Sequence, residues 1–79
     1  MTHKEYSEKL RKEVMIALGA YLKAEGELAG EGGGFIDKKF FDNVAKANSD
    51  WQTATNNFNA FLSFVVKNGI DMNSEISGT

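Results

Sequence analysis

Residues 40–66 read FFDNVAKANSDWQTATNNFNAFLSFVV, and this stretch decides the fold. Val44, Trp51, Phe58 and Val65 stand seven apart. Phe40, Ala47, Ala54 and Phe61 fall between them at alternating steps of four and three. That is an unbroken a/d series, the spacing that draws one apolar seam down one side of a helix. The segment NFNAFLSFVV, residues 57–66, is rich in aromatic and β-branched residues and so invites a strand. Its apolar positions do not alternate, and the heptad runs through it, so the spacing predicts a helix over about 38–68.

Upstream, Thr2-His3-Lys4-Glu5 has the form of a capping box. A helix starting there runs to about residue 29, with Tyr6, Leu10, Val14, Ala17, Tyr21, Ala24 and Leu28 at helical spacing. Glu, Lys, Leu and Ala dominate it, so propensity agrees with pattern. Gly19 and Gly26 disagree, each costing roughly 1 kcal/mol against Ala. With Ala17, Ala20 and Ala24 they predict a thin face opposite the bulky ring of Trp51.

Between the helices lies Gly30-Glu31-Gly32-Gly33-Gly34, expected as an interhelical turn over 30–36. A phosphate cradle is disfavoured there, because a helix precedes it and Glu31 repels phosphate. Asp37 is placed to N-cap the second helix, with Ile36 and Phe41 spaced as a hydrophobic staple. Lys38 and Lys39 follow in the first turn, against the helix dipole. Asn68-Gly69-Ile70 fits a Schellman stop, and the polar stretch 70–79 is expected to fray.

The chain has 79 residues, enough for a single domain spanning 1–79. Chains of this size bury little surface and commonly need a staple. With no Cys and one His, neither disulfides nor a metal site supplies it, and no cofactor is implied. Absence of Cys fits a cytoplasmic protein. The N-terminal stretch does not read as a secretion signal. The longest apolar runs, Val14–Leu22 and Phe58–Val66, fall far short of the roughly 20 residues a membrane helix needs. A net charge of −2 argues against a broad grip on nucleic acid or anionic membrane.

The remaining staple is association. Two antiparallel helices leave Met15, Leu18, Leu22, Phe41, Leu62 and Phe64 off the seam. Residues 51–66 carry no charge, and amides and hydroxyls hold their polar positions. Charge depletion with retained aromatics marks a covered surface rather than a solvated one. The expected architecture is therefore all-α: an antiparallel two-helix hairpin assembling into a homo-oligomeric bundle, in the simplest case a four-helix dimer. The expected oligomer interface is Met15, Leu18, Leu22, Phe41, Trp51, Phe58, Leu62 and Phe64.

Catalysis finds no support: there is no Cys and no carboxylate pair on an apolar face, and Asp50 beside Trp51 reads as a solvated flanking charge. Lys4, Lys9, Arg11 and Lys12 interleave with Glu5, Glu8 and Glu13, so i,i+4 pairs such as Glu5–Lys9 and Glu8–Lys12 are expected instead of an RNA-binding face. The expected function is non-enzymatic protein binding by a homo-oligomer through its charge-poor faces. The alternative is sequestration of a small anionic ligand in intersubunit pockets lined by Tyr6, Arg11 and Lys12, or by Lys38 and Lys39. In its hairpin plan the chain is similar to oligomeric helical hairpins with which some phages sequester cyclic-nucleotide signals of host immunity. At the same level it is similar to other small phage or plasmid inhibitor proteins and to secretion-needle hairpins, without the Trp-x-Gly turn of the small secreted ones. That resemblance implies a phage protein whose partners are itself and a host protein or nucleotide-like ligand, and it carries no residue across.

Overall fold

The computed structural model describes residues 1–30 and 36–76. Two helices account for most of it: α1, His3–Gly30, of 28 residues, and α2, Lys38–Lys67, of 30. They pack against each other as a hairpin. Aromatic contacts fix the direction. Tyr6 near the start of α1 meets Phe61 near the end of α2, and Tyr21 further along α1 stacks on Trp51. The helices are therefore antiparallel. The region 57–66 is helical, so the heptad outweighs β propensity there. The glycine-rich turn falls, apart from Gly30 and Ile36, outside the described residues.

Both seams are covered as their spacing requires. Leu10 and Ala24 of α1 and Val65 of α2 are buried, and every other seam position is at least half-covered. Tyr21 and Trp51 lie with ring centroids 5.5 Å apart and planes at 19°. Tyr6 meets Phe61 edge-on at 4.8 Å. Such pairs contribute about 0.5–1.5 kcal/mol beyond the area they bury. The thin face differs from expectation. Ala17 and Ala24 flank Tyr21 on the seam, but Gly19, Ala20 and Gly26 point outward. At about 100° per residue, Gly19 and Gly26 lie roughly opposite the α1 seam.

Local signals set the ends. The Thr2 N–H donates to Glu5 Oε1 at 2.9 Å and the Glu5 N–H to Thr2 Oγ1 at 3.1 Å, a complete capping box. Those hydrogen bonds, from the Thr2 backbone first, hold the Glu5 carboxyl below its usual pKa. The Lys39 N–H donates to Asp37 Oδ1 at 2.9 Å, capping α2. Phe41, the expected staple partner of Ile36, remains half-exposed. At the C-terminus of α2, Gly69 takes φ +60°. The Ile70 N–H reaches Val65 O at 3.0 Å and the Gly69 N–H reaches Val66 O at 3.2 Å, completing a Schellman motif.

The expected frayed tail is corrected over residues 70–76, and 77–79 lie outside the described residues. After Gly69 the chain turns at Asp71, whose Oδ1 accepts from the Asn73 N–H and whose carbonyl accepts from the Ser74 N–H. Residues 72–76 then run back beside the start of α1. The His3 N–H donates to Ser74 O at 3.0 Å, the Lys4 N–H to Met72 O at 2.8 Å, and the Ile76 N–H to Met1 O at 3.0 Å. A helix start leaves four backbone donors without intrahelical partners. Here Thr2 and Glu5 bond each other, and the tail takes His3 and Lys4, so all four are satisfied. The polar composition of 70–79 concealed this because the tail binds largely through its backbone, which carries no side-chain signature, with Glu75 Oε2 adding a 2.7 Å ion pair to the Met1 ammonium.

Candidate interaction surfaces

Helix geometry sorts the uncovered residues into two opposite faces. Residues advance about 100° each around a helix axis. In an antiparallel pair, side chains clockwise of the seam on α1, viewed from its N-terminus, share a face with those clockwise on α2, viewed from its own. Met15, Leu18 and Leu22 of α1 therefore share one broad face with Phe41, Leu62 and Val66 of α2. Phe64 and Ile16 lie on the other. Phe64 thus stands on a different face from the other expected interface residues. Trp51 and Phe58 belong chiefly to the intramolecular seam, where both are half-buried.

The broad face is apolar and uncharged along α2. Met15 is 58% exposed, Leu22 57%, Phe41 52% and Val66 80%. Leu18 and Leu62 sit closer to the seam and are partly covered. Between the two apolar ends of α2 run Asn48, Gln52, Thr55 and Asn59. Gln52 Nε2 donates to Asn48 Oδ1 at 3.4 Å, a link along the helix. Thr55 Oγ1 is shielded from solvent and has no hydrogen-bond partner among the described residues. Shielded polar atoms are rarely left unpaired.

The opposite face carries a cavity of about 470 Å³ at the open end of the hairpin, lined by Met1, His3, Tyr6, Phe61, Phe64 and Ile76. Sequence reasoning passed over His3 there. Its ring is buried, stacks on Phe61 at 6.1 Å with planes 14° apart, and places Nδ1 2.9 Å from Ser74 O. The available signal was position: an N1 histidine on the seam face, with a turn-forming Asp71-Met72-Asn73-Ser74 able to bring the tail back to it.

Within one chain the expected ligand residues occupy three separate places. Tyr6 lines the end cavity, with Lys9 Nζ 6.0 Å from its ring centroid. Arg11 and Lys12 are exposed beside Glu8 and Met15. Lys38 and Lys39 stand at the far end of the hairpin, where Lys38 Nζ lies 3.4 Å from Asp42 and Lys39 Nζ 5.3 Å over the Phe40 ring. The expected Glu5–Lys9 and Glu8–Lys12 ion pairs do not form, Glu5 being engaged by Thr2. No cluster of metal-ligating side chains occurs among the described residues, and no described helix is long and apolar enough to cross a membrane.

No protein-family model, curated protein or solved structure matches this chain.

Proposed function

We propose that the chain is a non-enzymatic binding protein that works as a homo-oligomer of helical hairpins and engages another macromolecule through its apolar, charge-poor faces. One observation carries this reading: the broad face exposes Met15 and Leu22 midway along α1 and Phe41 and Val66 near the two ends of α2, with no charge along its α2 side between Phe41 and Val66. Solvated helix faces carry Lys and Glu, and charge depletion with retained large apolar side chains marks contact surfaces. Association would cover that face and leave Phe64 and the end cavity for a second partner. Sedimentation at micromolar concentration tests the oligomeric part. A species of twice the 8.7 kDa chain mass or more is expected, and a folded monomer refutes it.

A second reading keeps the ligand sponge, because Arg11 and Lys12 enter no ion pair among the described residues and flank the same face. Thermal shift against cyclic and linear nucleotides separates the two. A ligand present at 100 times its dissociation constant adds about 2.7 kcal/mol of stability. A shift lost in an Arg11→Ala, Lys12→Ala double variant supports the sponge, and no shift with any nucleotide rejects it.

A further inference from the structure

The broad face is self-complementary about a single point. Met15 and Leu22 lie equally far either side of the midpoint between Leu18 and Gly19. Phe41 and Leu62, and likewise Asn48 and Thr55, lie equally far either side of the midpoint between Trp51 and Gln52. The packing brings the two midpoints to within one helical turn of each other. Measured at 1.5 Å per residue from the Tyr21–Trp51 stack they differ by about 3 Å, and from the Tyr6–Phe61 contact by about 4.5 Å in the opposite sense. The two offsets bracket coincidence within one helical turn. A twofold axis through that level, lying in the plane of the face and perpendicular to the helices, satisfies both helices at once.

We propose, resting on the self-association reading above, that a second copy of this chain covers the broad face about that axis. Helix α1 lies antiparallel on α1 of the second copy, and α2 on α2. Leu18 meets Leu18 on the axis, with Met15 and Leu22 closing over each other on either side. Phe41 of each copy packs on Leu62 of the other. Gln52 faces Gln52, and Asn48 stands across from Thr55. Charge agrees along the α1 stripe: Arg11, one turn before Met15, comes level in each copy with Glu25 of the other, giving two equivalent ion pairs. The other twofold arrangement, with its axis along the helices, sets Met15 on Thr55 and Leu22 on Asn48 and offers Arg11 only Asn59. Area agrees too. A face of about 42 Å, from 28 residues at 1.5 Å each, by 20 Å covers roughly 800 Å² per copy, the size of a standard interface.

Cysteine cross-linking tests the arrangement cleanly, since the chain has no Cys of its own. Gln52→Cys is an exposed substitution, and with mild oxidation or a short bis-maleimide it should give a covalent dimer. Asp50→Cys, at the same level on the opposite face, should not. A mixture of Met15→Cys and Leu22→Cys chains should cross-link, and a mixture of Met15→Cys and Thr55→Cys should not. Arg11→Glu should weaken the dimer roughly tenfold, and Arg11→Glu with Glu25→Arg should restore it. A dimer that links Met15→Cys to Thr55→Cys, and not Gln52→Cys to itself, overturns the axis while leaving self-association standing. A folded monomer by sedimentation overturns both.

Discussion

Replacing glycine by alanine at three positions should change stability with opposite signs. Gly19 and Gly26 lie inside α1, and a Cβ built on either meets nothing within 4 Å. Alanine there removes backbone freedom from the unfolded chain and adds no clash. Each substitution should therefore stabilise by roughly 0.5–1 kcal/mol. A Cβ on Gly69 also meets nothing within 4 Å, so space does not distinguish the sites. Backbone conformation does. Gly69 holds φ +60°, where a Cβ crowds the following carbonyl and costs roughly 1–2 kcal/mol. Gly69→Ala should therefore destabilise, and Gly69→Asn should lose less, because Asn tolerates that region. In a chain of this length 1 kcal/mol moves the melting temperature by about 4–8 °C. Circular-dichroism melts at one fixed concentration would resolve both directions. A neutral or stabilising Gly69→Ala refutes the Schellman stop. A loss at Gly19 or Gly26 refutes their placement on an open side of α1, or shows that a neighbour covers it.

Thr2→Ala should cost about 1 kcal/mol in urea unfolding, by removing the side-chain half of the capping box. Glu5 has a folded pKa below its ordinary 4.5, so the stability it contributes is complete above that value and disappears as pH falls through the folded one. Melts between pH 6 and pH 3 should therefore lose less in Glu5→Gln than in the parent chain. Amide hydrogen exchange should show His3, Lys4 and Ile76 protected, because each donates across the tail contact; exchange at the rate of free peptide would return the tail to a frayed state. Leu22→Asp should dissociate the oligomer, whereas Phe64→Asp, on the opposite face, should leave its sedimentation unchanged.

Much of the fold was legible because its determinants are local or periodic. The heptad positions Phe40 to Val65 are the ones the hairpin covers. Thr2 with Glu5, Asp37, and Gly69 with Ile70 each bond as their residue types and spacing require. The candidate site was legible only in part. Met15, Leu22, Phe41 and Phe64 are indeed left half-open by the hairpin. Periodicity along one helix, however, cannot say which excess residues of the two helices share a side. That depends on the antiparallel pairing and the handedness of both helices, which send Phe64 to one face and Phe41 to the other.

By itself the amino-acid order determined the two helices, their inward sides and their stops, since each follows from contacts between residues a few positions apart. Only the tertiary structure decided that residues 70–76 close over the start of α1, that His3 is buried, and that Met15 and Leu22 fall on the same side of the hairpin as Phe41 and Val66. Those outcomes join residues as much as 74 positions apart. Pairings at that distance depend on where the packed helices deliver the chain, and side-chain spacing does not encode it.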